Sequence, residues 1–177
     1  MRVFAVKPDE GYEWILTEDE FENELGAESV ANTWSPPKVR LLKKDGGTIL
    51  ARADLPWFSS GLLVFREAAY RKVGHLFANA GEFLPLRLVG GSDELWMFHA
   101  YSVLDALDPQ QSDLIRFPSG RVMVIKRHVF RPDSLDGATI FRIDESPKLF
   151  FTGEIVQVLQ KEKLTGIRFE CVWSSEE

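Results

Sequence analysis

The feature that most constrains the fold of this 177-residue chain is a series of short apolar runs separated by glycine, proline and aspartate. Residues 39–43 and 48–51 flank an Asp-Gly-Gly sequence that is typical of a β-hairpin turn. Residues 95–101 are apolar on both faces, as expected for a strand inside a sheet. Residues 167–173 alternate between apolar and polar side chains, which indicates a half-buried strand. The chain is therefore expected to contain many short strands.

Two other stretches have helical rather than alternating periodicity. Residues 67–79 and residues 153–163 both place apolar side chains three or four positions apart. A predicted strand precedes and follows each stretch, so we expect two strand-helix-strand units. Because helices are few and strands are many, the sequence predicts an α+β fold with a mostly antiparallel sheet. The length favours a single domain of residues 1–177.

A short acidic helix is also predicted near the N-terminus. The sequence Thr-Glu-Asp-Glu at 17–20 resembles a capping box, in which the Thr17 hydroxyl accepts from the backbone N–H of Glu20. Acidic residues in a first turn also suit the positive end of the helix dipole. Gly26 is expected to end this helix.

The same region is the most acidic part of the chain. Residues 8–37 contain nine acidic residues and no Lys or Arg, whereas the whole chain carries −6, so the remainder sums to +3. Opposite charge speeds the encounter with a basic partner, and Trp side chains often anchor interfaces. We therefore predict a partner-binding surface formed by Trp14, Glu18, Asp19, Glu20, Glu22, Glu24 and Trp34. A merely solvated acidic surface is the alternative.

No motif in the sequence specifies a reaction, a metal site or a cofactor site. The three histidines lack metal-ligand spacing, and no CxxC sequence is present. An acid–base pair of His99 and His128 would make the chain an enzyme, provided that the fold brings their strands together. Cys171 alternates with apolar neighbours, so we expect a buried thiol. The sequence thus predicts no metal, no cofactor and no catalytic residue.

Partners other than proteins are disfavoured. The run Lys126-Arg127-His128, with Phe130 nearby, is a weak indication of nucleic-acid binding, but phosphates repel a chain of net charge −6. The sequence has no signal-peptide pattern at its start and no run near the roughly 20 apolar residues that span a bilayer. We therefore expect a cytoplasmic protein that binds neither nucleic acid nor membrane.

Several motifs resemble a bacterial family of polymorphic-toxin immunity proteins, immunity protein eleven, which was formerly a domain of unknown function. They include Asp-Leu-Pro-Trp at 54–57, Leu-Phe-Phe-Thr at 149–152 and Leu-Thr-Gly-Ile-Arg-Phe at 164–169. The resemblance covers residues 50–173 as a family-like core, and residues 1–50, with most of the acidic segment, precede it. It implies a cytoplasmic antidote that binds and blocks a cognate toxin, without catalysis or cofactor. The alternatives are an enzyme that uses His99 or His128, and a self-associating regulatory subunit.

Overall fold

The chain folds mostly into β-structure. The computed structural model describes residues 1–19 and 25–176, with 43% of the chain in strands and 14% in helices. The strands are β1 (Arg2–Pro8), β2 (Trp14–Thr17), β3 (Lys38–Leu42), β4 (Lys44–Asp45), β5 (Thr48–Ile49), β6 (Leu63–Arg66), β7 (Gly81–Leu88), β8 (Leu95–Ala100), β9 (Asp113–Arg116), β10 (Val122–Arg127), β11 (Ile140–Ile143), β12 (Ser146–Thr152) and β13 (Ile167–Ser174). The helices are α1 (Glu67–Val73) and α2 (Gly153–Lys161), with 3₁₀ turns at Gly74–Phe77 and Pro132–Leu135.

Two sheets form the framework. The first sheet has the order β11-β12-β1-β13 and is antiparallel throughout. The second has the order β2-β3-β7-β8-β6, in which only β3 and β7 run parallel. Strand β8 lies between two neighbours and is almost entirely buried, which confirms the interior strand predicted at 95–101. Strands β4 and β5 form a hairpin around the predicted Asp-Gly-Gly turn, and β9 and β10 form another.

Three apolar cores alternate with the two sheets. The central core lies between the sheets and contains α1, α2 and one face of each sheet. A second core lies on the outer face of the first sheet, where residues 103–138 cover Val3, Ala5 and Phe150. A third lies on the outer face of the second sheet, where Val30, Trp34 and neighbouring residues of the N-terminal region cover it. Both sheets are therefore buried on both faces, because each has its own cover.

The α+β prediction, with its two strand-helix-strand units, is wrong, because the described chain is mostly β-structure and its two α-helices form no such units. The strands that flank α1 are β6 and β7, and β8 lies between them in the sheet. The strands that flank α2 are β12 and β13, and β1 lies between them. Neither helix connects adjacent strands, because in each sheet a strand from elsewhere in the chain supplies the intervening hydrogen bonds. Periodicity identifies a strand but contains no information about which strand will pair with it.

The predicted acidic helix is also wrong. Thr17, the expected cap, is the last residue of β2, and Glu18 and Asp19 form a bend. The backbone N–H of Glu18 donates to the Lys38 carbonyl at 2.9 Å, and the Asp19 carboxylate accepts from the Lys38 N–H at 2.8 Å. These bonds extend the pairing of β2 with β3 instead of starting a helix. Glu20, Glu22 and Glu24 lie outside the described residues.

Cys171 is exposed, so the prediction of a buried thiol is wrong. The alternation that suggested burial is interrupted in β13, where Phe4 pairs with Cys171 but the preceding Val3 pairs with Trp173. Cys171 itself stays in step with Ile167 and Phe169, and the bulge that follows it reverses the facing of the later residues only. Ile167 and Phe169 pack on the central core before the bulge, whereas Val172 and Trp173 pack on the second core after it.

Candidate functional site

The acidic segment contributes one carboxylate to a buried ion-pair network. Glu13 and Arg66 are each 4% exposed and form an ion pair, and Arg66 also pairs with Asp93. Arg52 binds the same Asp93 carboxylate through two hydrogen bonds of 3.0 and 2.8 Å. The bonds from Arg52, opposed in part by burial, lower the pKa of Asp93 below its ordinary value. Glu13 is thus part of the framework and is not available to a partner.

The predicted surface residues around β2 have partners within the chain. Glu18 pairs with Arg40 at 3.4 Å, and Asp19 accepts the Lys38 bond described above. Trp14 is 40% exposed, and its ring meets the Trp57 ring edge-on at a centroid distance of 6.4 Å. Trp14 and the nearby carboxylates therefore still face solvent in part, and their role as a partner-binding surface stays a prediction.

Residues 25–34 are clasped onto the second sheet by Glu82 of β7. The Glu82 carboxylate accepts from the Ser29 hydroxyl at 2.6 Å and from the Val30 N–H at 2.8 Å. Burial alone would raise the pKa of Glu82, but the bonds from Ser29, Val30 and His99 outweigh it, and the pKa is lowered. Trp34, predicted to anchor a partner, packs on the third core and donates from Nε1 to the Pro85 carbonyl at 2.8 Å.

His99 and Arg142 also hold this N-terminal segment, and together with Glu82 they form what we call the clasp. His99 is 1% exposed, and its Nδ1 lies 3.2 Å from Glu82 while its Nε2 lies 2.8 Å from the Gly26 carbonyl. Arg142 donates to the carbonyls of Leu25 and Gly26 at 3.0 and 2.8 Å. Both ring nitrogens of His99 therefore serve to hold the N-terminal segment in place.

The structure does not unite His99 with His128. His128 stacks on Phe130 at 5.9 Å and meets Phe150 edge-on at 5.5 Å, in the second core. Burial, with a smaller contribution from Lys148, lowers the pKa of His128 to about 4. His128 is therefore neutral at physiological pH, and among the described residues no hydrogen bond joins it to His99.

A broad groove of about 890 Å³ opens beside the clasp. Leu25, Gly26 and Ala27 line the groove, together with residues at the tip of the β9–β10 hairpin. Residues 142–147 and 59–62 also line the groove. Two buried polar atoms there, Nε of Arg142 and Oε2 of Glu145, have no hydrogen-bond partner among the described residues. The groove is thus lined by apolar and charged side chains together, a mixed composition that suits a protein partner.

The described residues offer neither a candidate metal site nor a candidate membrane-spanning helix. They contain no group of three or more His, Cys, Asp or Glu side chains that could hold a metal ion. They also include no helix with the length and hydropathy required to cross a bilayer.

Residues 6–173 match the model of an immunity protein family, Imm11. The chain belongs to the Imm11 family. No curated protein matches it. The Imm11 match confirms the resemblance proposed from the sequence motifs, and it begins far earlier than those motifs, so it includes the acidic segment. Membership implies a toxin-neutralising immunity role, with a cognate toxin as the partner in general.

Two of the motifs that carry the resemblance to Imm11 meet in the structure. The Asp54 carboxylate accepts from the Thr165 N–H at 3.0 Å and from its hydroxyl at 2.9 Å. The Leu55 N–H donates to the Thr165 carbonyl at 2.9 Å. Gly166 follows in the left-handed region, with φ +102°, where an added Cβ would lie 2.2 Å from the Leu55 carbonyl. These motifs therefore join the two sheets and belong to the scaffold.

Sequence reasoning missed the groove and the hairpin that forms one of its walls. The loop-forming residues Asp105, Asp108, Pro109 and Asp113 favour irregular structure at 103–117, and the run at 121–130 favours one long strand. The usable signal was the Pro-Ser-Gly turn at 118–120 between two apolar runs. The groove itself had no local signal, because its walls come from five separate parts of the chain.

Proposed function

We propose that this chain is the antidote to a cognate bacterial toxin, which it neutralises in the cytoplasm by occlusion and without catalysis. The observation that carries the proposal is the family match over residues 6–173. The groove supports occlusion, since it is wide, open and flanked by exposed apolar side chains of the hairpin, as a protein-binding surface is.

One feature favours an enzyme instead: the His99–Glu82 pair, which is a positioned histidine and carboxylate with His99 lining the groove. Its bonding argues for a structural role. His99 is in contact with the Gly26 carbonyl, and Glu82 is occupied by Ser29 and Val30. A general base needs a free nitrogen within reach of its substrate. We therefore assign this pair to the clasp.

The acidic surface predicted from the sequence is part of the proposal. Glu18 and Trp14 face solvent in part, and Asp9, Glu10 and Glu28 add negative charge in the same segment. Such a field would speed association with a basic toxin and would weaken as salt is added. Reversing Glu18 and Glu20 to Lys should slow association, and an unchanged, salt-insensitive on-rate would remove this surface from the interface.

A stoichiometry experiment tests occlusion against catalysis. A toxin domain identified by searching the genes next to this one is purified, and its activity is titrated with this chain. Occlusion predicts that residual activity falls linearly and reaches zero at molar equivalence. A catalytic antidote would inactivate the toxin at far smaller amounts, and His99→Gln with His128→Gln would abolish that effect. Absence of binding by the wild-type chain would overturn the proposal.

A further inference from the structure

The β9–β10 hairpin exposes an unusual amount of apolar surface. Among the described residues, nine large hydrophobic side chains are exposed, and four of them belong to this hairpin of about fifteen residues. They are Ile115, Phe117, Met123 and Val124. Single exposed apolar residues are ordinary, but a cluster of this kind marks an interaction surface.

The hairpin has an inner face that already packs on the protein. Leu114 pairs with Ile125 across the strands, and both side chains pack on the second core. The adjacent pair, Ile115 and Val124, points the other way because side chains alternate along a strand. Ile115 and Val124 therefore belong to the outer face, and Met123, at the register shift between Val122 and Val124, is exposed next to them; no other part of the described chain covers these side chains.

The hairpin that carries this apolar face is basic. Arg116, Arg121, Lys126 and Arg127 accompany a single carboxylate, Asp113, so the hairpin carries +3 within a chain of −6. Within residues 1–19 and 25–176, none of these four cations forms an ion pair. In contrast, the neighbouring Arg131 is paired with Asp105. Arg116 and Arg127 donate instead to the carbonyls of Gly120 and Gln111, so within the described chain no carboxylate neutralises the hairpin cations.

The tip of the hairpin is pre-organised. The Phe117 N–H donates to the Arg121 carbonyl, and the Gly120 N–H donates to the Phe117 carbonyl, both at 2.9 Å. Gly120 adopts φ +86°, and Arg116 donates to its carbonyl at 2.8 Å. The Arg121 guanidinium lies over the Phe117 ring at 5.6 Å. Little conformational entropy remains to be lost when this surface binds.

We propose that the outer face of the β9–β10 hairpin docks the cognate toxin, and that the toxin surface it meets has an apolar centre ringed by carboxylates. This inference rests on the proposed function and adds the location and charge of the interface. An apolar centre with a complementary charged rim is the usual anatomy of a specific protein interface. A nucleic acid fits less well, because the aliphatic Ile115 and Val124 offer no stacking surface for bases and the whole chain is acidic. The groove continues the same surface past Met123 towards Ala27.

The test measures toxin affinity and association rate for hairpin variants of the full chain. Val124→Glu should raise the dissociation constant about thirtyfold or more, as expected when a central interface residue is lost. Val158→Glu is the matched control, because Val158 on α2 is similarly exposed, and it should change affinity by less than about twofold. Arg121→Glu with Lys126→Glu should slow association about tenfold at low salt, whereas Lys43→Glu with Lys44→Glu should not.

The outcomes separate this inference from the proposed function. If the wild-type chain does not bind the toxin, the proposed function fails. If the wild-type chain binds and folded Val124→Glu and Met123→Ser chains bind equally well, the hairpin is not the docking surface. If a mixed-sequence oligonucleotide binds the chain and the binding depends on the hairpin, the partner of the hairpin is a nucleic acid and not the toxin. A dimer in light scattering that Val124→Glu dissociates would replace the toxin with a second copy of this chain.

Discussion

The acidic N-terminal segment and the basic β9–β10 hairpin make opposite use of their charges. In the acidic segment, Glu13 is buried against Arg66, and Asp19 holds the backbone of Lys38. In the hairpin, the cations have no ion-pair partner within the described chain, and apolar side chains lie beside them. The number of charges in a segment therefore says little about how many are available to a partner. What decides is whether neighbouring elements neutralise them.

The largest expected effect concerns the buried charges of the acidic segment. Arg66→Met leaves Glu13 and Asp93 without their central cation, and we expect a loss of about 3–5 kcal/mol in the free energy of unfolding. Urea denaturation measures it. Arg52→Met is the control, since Arg52 is mostly exposed and its loss should cost about 1 kcal/mol or less. Equal effects of the two substitutions would mean that Glu13 is not held as described.

The clasp that docks the acidic segment comes next. Glu82→Gln removes the negative charge that accepts from Ser29 and Val30, so we expect a loss of about 2 kcal/mol. Hydrogen exchange should show faster exchange of the Val30 amide. Ser29→Ala removes one bond and keeps the carboxylate, and should cost about 1 kcal/mol. An unchanged Val30 exchange rate would show that Glu82 does not fasten this segment.

The segments that cover the outer faces of the two sheets, residues 103–138 and the N-terminal region, are expected to respond differently to pH. The folded-state pKa of His128, about 4, lies below its unfolded value of about 6.5, so protonation favours unfolding. The stability that depends on a neutral His128 is complete above about pH 6.5 and is lost as the pH falls towards 4. Because His128 is partly exposed, we expect a change of no more than about 2 kcal/mol. Urea titrations at pH 7 and 4.5 should show it, and His128→Gln should remove it.

The clasp should lose stability only in stronger acid. The pKa of Glu82 is lowered on folding, so its contribution is present above its unfolded pKa of about 4.3 and is lost as the pH falls through the folded value. Between pH 7 and 4.5, Glu82→Gln should therefore retain the wild-type pH dependence. A flattened profile in this variant would place the titrating group in the clasp instead of at His128.

The smallest effect concerns the hairpin tip. Gly120→Ala places a side chain at φ +86°, and we expect a cost of about 1 kcal/mol, confined to the hairpin. Faster hydrogen exchange of the Phe117 amide, with little change in global unfolding, would be the signature. Gly26→Ala is the control, since an added Cβ there meets nothing within 4 Å and the backbone is not left-handed.

Local patterns predicted single elements better than their arrangement. The apolar run at 95–101 indicated an interior strand because burial on both faces leaves no polar alternation, and β8 confirmed it. The capping pattern at Thr17 misled, because pairing of β2 with β3 outweighs a helix cap worth about 1 kcal/mol. The alternation around Cys171 misled because it cannot show whether another element covers that end of β13, and the thiol is exposed.

The candidate site was predicted only in part. Trp34 looked like an exposed anchor in a polar segment, but it packs on the third core. His99 was considered from the sequence as one half of an acid–base pair with His128, whereas the fold places it against Glu82 and the Gly26 carbonyl, which Arg142 also binds. The hairpin surface was overlooked because apolar residues in a strand pattern are read as core. Whether one face of a strand is exposed depends on which other elements pack against it, and the sequence of the strand does not encode those elements.

The sequence by itself determined the short strands, the two main helical segments, the concentration of acid at 8–37 and the immunity-family motifs. These depend on residue spacing and identity within a few positions of the chain. Only the tertiary structure decided that β8 and β1 separate the strands flanking the helices, that Arg66 neutralises Glu13, and that the basic hairpin keeps its charges free. The physical reason is that pairing, burial and neutralisation are interactions between distant residues, and their energies depend on neighbours that no local pattern names.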